Sequence, residues 1–247
     1  MQLLINADDF GISESVNLAI DYCFKCNIIQ RTTLMVNMDG TDSAVELAKK
    51  HGYAAKVGLH LNLIEGIPLT EPIKKTIFCT DGVFDGQALL KHKNRFLLDR
   101  RTQKAVESEL RAQMEKYVGY GFTLLHIDSH EHAHTNPSIF KLLLPLLKEF
   151  GFLSCRLSRN IPKSEIGGLK RIYKDIFNRK VLRTFSRTND KEVVKYFGSQ
   201  KDIEKIWGNS FYETAIIEVE THPIIENGTL KDAIHSAGIE KWISHFE

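Results

Sequence analysis

The stretch that decides the fold is QLLINADDFGIS, residues 2–13. Residues 2–7 are short and mostly apolar, which predicts a buried strand, and Ser13 can cap a following helix. The helical period in that helix is followed by Val16, Ala19, Ile20 and Cys23. Between strand and helix lie two carboxylates, Asp8 and Asp9, where a nucleotide-binding turn needs bare backbone amides. The chain therefore opens with a β-α unit that has no phosphate-binding turn, which favours a barrel over a dinucleotide fold.

The same alternation continues along the chain. Further strands are predicted at 32–37, 54–61, 122–128, 153–157 and 214–219. Helices are predicted at 42–51, at 103–117, from Asn136-Pro137 to Gly151, and after Thr229 as a cap. Six or seven strands alternating with helices suggest a barrel or an open doubly wound sheet. We predict a single α/β domain over 1–247, a distorted or incomplete (β/α) TIM-like barrel.

Composition sets the class of protein. With 43% hydrophobic and 26% charged residues, the chain lies in the ordinary globular range, which excludes collagen-like and largely disordered proteins. No targeting or membrane-spanning segment is evident, so we expect a soluble, cytoplasmic protein. The 4 cysteines are too few for a disulfide framework, and Cys23-x-x-Cys26 is interpreted as ordinary helix packing.

Charge is unevenly distributed although the net charge is only +2. The segment 156–205, predicted to be mostly helical, carries 14 Lys and Arg against 6 Asp and Glu. Such a block is most often a solvated helical face. Because base-stacking aromatic residues are sparse there, a nucleic-acid partner is not expected.

The segment most informative about chemistry is HIDSHEHAH, residues 126–134, with four of the 10 histidines. If its backbone is extended, alternate side chains from 126 to 134 project from one face. Imidazole with carboxylate suits a divalent metal, zinc first, with magnesium, manganese or iron left open. Since a catalytic zinc takes three protein ligands, the other histidines would orient ligands, face substrate or be structural.

Three other strand ends carry candidate groups. Asp8 and Asp9 follow the first strand, and because neighbours on an extended strand point to opposite sides, one can bind metal while the other accepts a proton. His60 ends the third strand. His222, ahead of Pro223 at the end of another strand, is a candidate general acid.

Four motifs together resemble the YdjC/ChbG family of carbohydrate deacetylases: NADDFG at 6–11, GLHL at 58–61, HIDSHEHAH at 126–134 and THP at 221–223. They occur in family order over nearly the whole chain. The resemblance implies a distorted (β/α) barrel, often dimeric, that holds magnesium or zinc with one Asp and two His. It also implies removal of N-acetyl groups from amino sugars such as diacetylated chitobiose.

Carried over by position, the resemblance implies Asp9, His60 and His130 as the metal ligands. Asp8 would be the base and His222 the residue that protonates the leaving amine. Arg156 would orient the base or the substrate. A further set is expected to orient ligands or contact substrate: Asp128, His132, His134 and Asn62.

Parts of the chain depart from the family pattern. Glu131 occupies a variable site between histidines, the carboxyl-terminal portion after Trp242 is expected to be short, and the basic segment 156–205 has no residue-by-residue match. Two other functions stay open. One is a metal-dependent phosphoesterase with the basic segment as anion clamp, and the other is a non-catalytic metal- or sugar-binding protein. The expected partner is a small acetylated sugar, with no nucleic acid or membrane.

Overall fold

The structure is a computed structural model that describes residues 1–91, 94, 96–162, 168–185, 194–234, 238 and 239. The strands are β1 (Gln2–Phe10), β2 (Arg31–Leu34), β3 (Val57–Leu61), β4 (Cys79–Thr80), β5 (Val83–Phe84), β6 (His126–Ser129), β7 (Ser154–Cys155), β8 (Tyr196–Ser199), β9 (Ile216–Thr221), β10 (Pro223–Glu226) and β11 (Thr229–Asp232). The helices are α1 (Glu14–Lys25), α2 (Thr41–Lys50), α3 (Glu71–Lys74), α4 (Gln87–Leu90), α5 (Arg100–Gly119), α6 (Pro137–Glu149), α7 (Gly168–Phe185) and α8 (Gln200–Ile206). Short 3-10 helices lie at Ala54–Lys56, His130–Thr135 and Ser210–Tyr212.

A curled parallel sheet of 7 strands forms the centre of the molecule, in the order β7-β6-β3-β2-β1-β9-β8. Each pair of neighbours is parallel, and helices flank the sheet. If the two ends of the sheet are joined, the strands follow one another in the order β1, β2, β3, β6, β7, β8, β9, which is their order in the chain. Strand β9 pairs with β1, just as the last strand of a barrel pairs with the first. The parallel α/β fold is thus confirmed, and its half-barrel sheet is consistent with the predicted distorted barrel.

The seam of the sheet lies between β7 and β8, the two edge strands, which do not pair within the described part of the chain. The segment after β7 approaches β8 instead. The amide of Asn160 donates to the carbonyl of Phe197 at 3.2 Å, and the amide of Phe197 donates to Asn160 Oδ1 at 2.9 Å. One residue therefore bridges the edges where a barrel would have a continuous strand ladder.

Helices begin where the sequence supplies caps. Ser13 Oγ accepts from the amide of Val16 at 3.3 Å to start α1, and Asp99 accepts from Thr102 at 3.0 Å to start α5. Pro137 occupies the first turn of α6. Cys23 of α1 is buried in the core, as expected from helix packing. No helix among the residues described is long and apolar enough to span a membrane.

One helix predicted from the sequence was wrong, and one strand was not predicted. A helix after Thr229 was expected, but Thr229–Asp232 is β11, which pairs antiparallel with β10. Asn227 and Gly228 both have positive φ, 51° and 72°, and form the two-residue turn that an Asn-Gly pair favours in hairpins. Strand β8 was not predicted, although its aromatic Tyr196-Phe197 start is typical of a strand. The basic segment is helical in α7 and α8, while its residues 163–167 and 186–193 lie outside the described part.

Candidate active site and metal-binding residues

The carboxyl ends of the central strands bring the predicted groups together. Pairing of β3 with β6 places His60 opposite Asp128, and pairing of β1 with β9 places Asn6 opposite Glu220. Since parallel strands share the direction of their carboxyl ends, residues that follow them meet at one end of the sheet. Of the predicted set, Asp8, Asp9, His60, Asp128, His130, Arg156 and His222 form one connected polar cluster.

An irregularity in β1 separates the two adjacent aspartates. The register between β1 and β2 shifts between Ala7 and Phe10, and Asp9 has a φ of 64° in the left-handed region. That conformation is uncommon for a residue with a side chain, although Asp tolerates it better than most. As a result Asp8 is buried among the strands, whereas the Asp9 side chain stays 14% exposed.

Asp9 faces two imidazoles. Its Oδ1 lies 3.1 Å from His60 Nε2 and 2.8 Å from His130 Nδ1. One ligand atom from each of the three residues lies within 4.8 Å of the others. His60 Nε2 is buried and faces Asp9 Oδ1, so once it loses its proton it is placed to bind a cation held by that carboxylate. One carboxylate and two imidazoles so arranged fit a divalent cation.

Behind His60 lies the carboxylate of Asp128. Its Oδ1 is 2.6 Å from His60 Nδ1, and its Oδ2 accepts from Thr33 Oγ1 at 3.0 Å. Burial alone would lower the pKa of His60, but the carboxylates of Asp128 and Asp9 outweigh it and raise that pKa to about 10. An Nδ1–H donated to a carboxylate leaves Nε2 to bind metal, which is the orienting contact expected of Asp128.

Asp8 is held by Arg156 rather than by histidines. The guanidinium makes two contacts, Nη1 to Oδ2 at 2.5 Å and Nη2 to Oδ1 at 2.7 Å, and Asn6 Nδ2 donates to Oδ1 at 2.7 Å. Burial raises the pKa of Asp8, but Arg156 more than offsets this, so the pKa lies well below its usual range. Asp8 is therefore ionised and fixed in orientation.

Arg156 is fully buried at the centre of a charged network. Besides Asp8, its Nη2 lies 2.8 Å from Asp128 Oδ2 and its Nε donates to Glu218 at 2.6 Å. Glu218 in turn contacts Arg31 Nη2 at 2.6 Å. A buried charge is tolerated only when it is paired, and this arginine has three carboxylate neighbours. The inside of the curled sheet is thus a polar network.

The backbone is not extended throughout 126–134, so the alternate side chains do not share one face. Strand β6 ends at Ser129, and a 3-10 segment follows in which Glu131 and His132 have positive φ of 50° and 52°. The four histidines consequently point in different directions. His126, at the start of β6, contacts Ser154 Oγ through Nδ1 at 2.8 Å and lies near Asp128 and Glu218 rather than at Asp9.

The later histidines of the segment divide between ligand and structural positions. His130 Nε2 lies 2.8 Å from Glu65, while its Nδ1 faces Asp9. His132 Nε2 lies 3.4 Å from Glu220. His134 is buried and contacts Ser129 Oγ at 2.6 Å and the carbonyl oxygen of Arg156 at 3.2 Å. His134 therefore fixes the backbone beside Arg156.

His222 and Asn62 lie at the edges of the site. His222 Nε2 is 4.0 Å from Asp8 Oδ2. Asn62 Oδ1 accepts from the amides of Ile64 at 2.9 Å and Glu65 at 3.2 Å, so it shapes the turn that presents Glu65 to His130. Its contacts are those of a residue that supports a loop.

Sequence reasoning missed four charged residues of the cluster, listed here: Arg31, Glu65, Glu218 and Glu220. A signal for two of them was present. Glu218 and Glu220 alternate along β9, and His222 follows the strand at the next alternate position. A carboxylate at alternate positions of an otherwise apolar strand indicates a polar interior.

The chain is similar to known proteins in sequence and in fold. Residues 2–240 match the family described as YdjC-like protein. A carbohydrate deacetylase from Brevibacillus brevis is 38% identical over 150 residues, which are 61% of this chain and 57% of the relative. One from Clostridium beijerinckii is 40% identical over 149 residues, 60% of this chain and 57% of the relative. The matched stretch thus spans less than two thirds of these relatives.

A solved structure shares the fold. A protein from Enterococcus faecalis V583, provisionally named a cellobiose-phosphate cleavage protein, aligns with a TM-score of 0.65 at 22% identity, over 92% of this chain and 82% of that one. The resemblance inferred from the four motifs is confirmed by the family match over 2–240, and this chain belongs to the YdjC-like protein family.

Proposed function

We propose that this protein is a metal-dependent hydrolase that removes N-acetyl groups from small N-acetylated amino sugars of the chito-oligosaccharide type. The observation that carries the proposal is the grouping of Asp9, His60 and His130 within 4.8 Å, next to an ionised Asp8 fixed by Arg156. The names of the two relatives support the substrate class.

Asp9, His60 and His130 would hold the metal. Their two nitrogens and one carboxylate match a catalytic zinc site with an open position, and Mg²⁺ is the other candidate. When bound, such a cation supplies an activated water and stabilises negative charge on the amide oxygen. Asp128 fixes the tautomer of His60, and Glu65 holds the far nitrogen of His130.

Asp8 would take the proton of the attacking water. It is ionised at neutral pH because Arg156 holds its pKa low, and it is kept in place by Arg156 and Asn6. The same pairing makes Asp8 a weaker base than a solvated carboxylate. Arg156 therefore has an orienting role that limits basicity and fixes geometry.

His222 would donate a proton from Nε2 to the leaving nitrogen. It lies on the Asp8 side of the cluster, with Nε2 at 4.0 Å from Asp8 Oδ2. The amide C–N bond breaks, water supplies the oxygen of acetate, and the nitrogen leaves as an amine rather than as an unstable anion. In this proposal Asp8 is the base and His222 is the acid.

Acetate release from a panel of acetylated mono- and disaccharides, including diacetylchitobiose, tests the proposal. We expect release with zinc- or magnesium-loaded protein, loss with a chelator, and release slower by roughly 10²–10⁴-fold with Asp8→Asn prepared in the same way. Phosphate release from phosphorylated sugars should stay at background. Phosphatase activity above deacetylase activity would instead support the phosphoesterase, and metal binding without turnover the non-catalytic protein.

Partner and location stay predictions. The expected ligand is the acetylated sugar, in a cytoplasmic protein that binds no nucleic acid or membrane, and a homodimer is the assembly that the family resemblance suggests.

A further inference from the structure

Beside Asp8 lies a group of polar side chains that the proposed reaction does not use fully, the Glu220 cluster, made of Glu220, His132 and His222. Three of their atoms are buried without a hydrogen-bond partner among the residues described: Glu220 Oε2, His132 Nδ1 and His222 Nδ1. Buried polar atoms are normally paired, and unpaired ones at a site indicate a missing ligand. The cluster is not sealed, because the His132 side chain is 44% exposed and that of Glu220 13%.

Glu220 has no cation of its own in the described part of the structure. The nearest positive group is Arg156 Nη1 at 3.9 Å from Oε2, beyond hydrogen-bond distance. That guanidinium is already shared by Asp8, Asp128 and Glu218. The ammonium group of Lys174 acts on Glu220 only from farther away, and it donates to the carbonyl of Arg159 at 3.0 Å.

Other carboxylates near Glu220 disfavour a negative charge on its side chain. Burial, followed by the carboxylate of Asp8, raises the pKa of Glu220 to about 8. His132 Nε2 lies 3.4 Å from Glu220 Oε2 but does not form a hydrogen bond with it. At pH 7 a carboxyl in these surroundings is largely protonated, and a ligand that brings a positive charge favours its ionised form.

We propose that Glu220 binds the protonated amine of a deacetylated amino sugar and so retains the product beside Asp8. Position supports this ligand, since Glu220 lies near the end of β9 and His222 directly follows that strand. His222 Nε2 is 4.0 Å from Asp8, and Arg156 Nη1 contacts Asp8 and lies 3.9 Å from Glu220, so both groups are beside the aspartate where the amine would be freed. The identity of the amine rests on the proposed function; the preference for an ammonium group rests on the Glu220 cluster. Glu220 thus determines that the site retains the amine product.

An ammonium group on Glu220 has a consequence for the enzyme. A charge-assisted hydrogen bond in a partly buried site is stronger than one to a hydroxyl. The amine product should therefore bind better than the same sugar with a hydroxyl at that carbon, and it should inhibit turnover more strongly than acetate does.

Calorimetry on the full chain tests this without any turnover. Glucosamine, glucose and N-acetylglucosamine are titrated at pH 7 into metal-free protein, so that the amine has no metal to bind, and again into zinc-loaded protein. We expect glucosamine to bind at least about tenfold more tightly than glucose in both states. Equal affinity of the two sugars, or no measurable binding of glucosamine, would overturn the proposal even before any variant is made.

Variants then locate the contact. Glu220→Gln should reduce the preference for glucosamine over glucose by about tenfold, because the amide cannot take the negative charge. The matched control is Glu226→Gln, an exposed carboxylate on β10 paired with Lys231, which should leave the preference unchanged. A preference that persists in Glu220→Gln assigns the amine to another carboxylate and contradicts the inference.

The outcomes separate this inference from the proposed function. Amine binding that depends on Glu220, in a protein that releases no acetate, supports the binding site and rejects deacetylation. Acetate release with no amine preference retains the enzyme and rejects the role of Glu220.

Discussion

Asp8 and Asp9 are chain neighbours with opposite surroundings. Asp8 is buried and bound by a guanidinium and an amide, whereas Asp9 is partly exposed and faced by two imidazoles. Arginine does not give up its proton and so keeps Asp8 an anion, but the imidazoles facing Asp9 can lose theirs and bind a metal. The two aspartates are the same residue type, so their different roles, proton transfer for Asp8 and metal binding for Asp9, come from the side chains that contact them.

The largest expected effect is on the Asp9 side. His60→Ala or His130→Ala should lose the metal and reduce activity to that of the chelated protein, since two remaining ligands hold a divalent ion poorly. Metal content by mass spectrometry checks this. His51→Ala, which alters a partly exposed histidine paired with Asp21 and not with a residue of the cluster, is the matched control. Stoichiometric metal in both ligand variants would break the comparison.

On the Asp8 side the expected signature is the reverse. Asp8→Asn should keep the metal and lose roughly 10²–10⁴-fold in kcat, because the amide cannot accept the proton. Metal content and kcat are measured on the same preparation. Near-normal turnover on a confirmed substrate would remove Asp8 from the role of base.

Glu218, which pairs with Arg156, should make the stability of the protein depend on pH in the acid range. Burial raises the pKa of Glu218, but Arg31 and Arg156 lower it from 4.5 to about 2. A lowered folded-state pKa stabilises the protein above pH 4.5, and that stabilisation is lost as the pH falls toward 2. It amounts to about 3 kcal/mol.

Urea unfolding of wild type and Glu218→Gln across this range measures the effect. We expect the wild type to be the more stable at pH 7 and the gap to close as the pH approaches 2. A gap that does not change with pH would show that the carboxylate charge of Glu218 does not stabilise the fold.

Asp128 joins the two sides, since it contacts both His60 and Arg156. Asp128→Asn should weaken metal binding by roughly 10–100-fold, because the amide no longer favours the tautomer with a free Nε2. A chelator competition assay gives the affinity. An unchanged affinity would make the contact at 2.6 Å between His60 and Asp128 a packing contact only.

The smallest effect is expected at Glu65. Its side chain is 44% exposed, and exposed ion pairs contribute little, so Glu65→Gln should change metal affinity by less than about fivefold. The same competition assay serves here. A larger loss of metal affinity would show that Glu65 is itself a metal ligand, together with Asp9, His60 and His130.

Much of the site was predictable because strand ends are visible in sequence. The motifs at 6–11, 58–61 and 221–223 each follow an apolar run, and parallel topology brings such ends together. The β1 irregularity at Asp9 was not predictable, because a left-handed aspartate depends on how β1 and β2 pair. Likewise the turn after Ser129 depends on the contact of His134 with the carbonyl oxygen of Arg156, which lies 22 residues further along the chain.

The fold was predictable in type but less so at its edges. The alternation of apolar runs and helical periods specified the parallel sheet. The seam was not predictable, since Asn160 binds Phe197 across 37 residues without any periodic pattern. The buried carboxylates of β9 were missed because charged residues ordinarily indicate a solvent-exposed face.

Crystals soaked in zinc and measured on both sides of the zinc absorption edge test the central claim most directly. The account predicts one anomalous peak within bonding distance of Asp9, His60 and His130, with Asp8 still on Arg156. A peak elsewhere, or an ion bound through Asp8 with Asp9 unliganded, would contradict it.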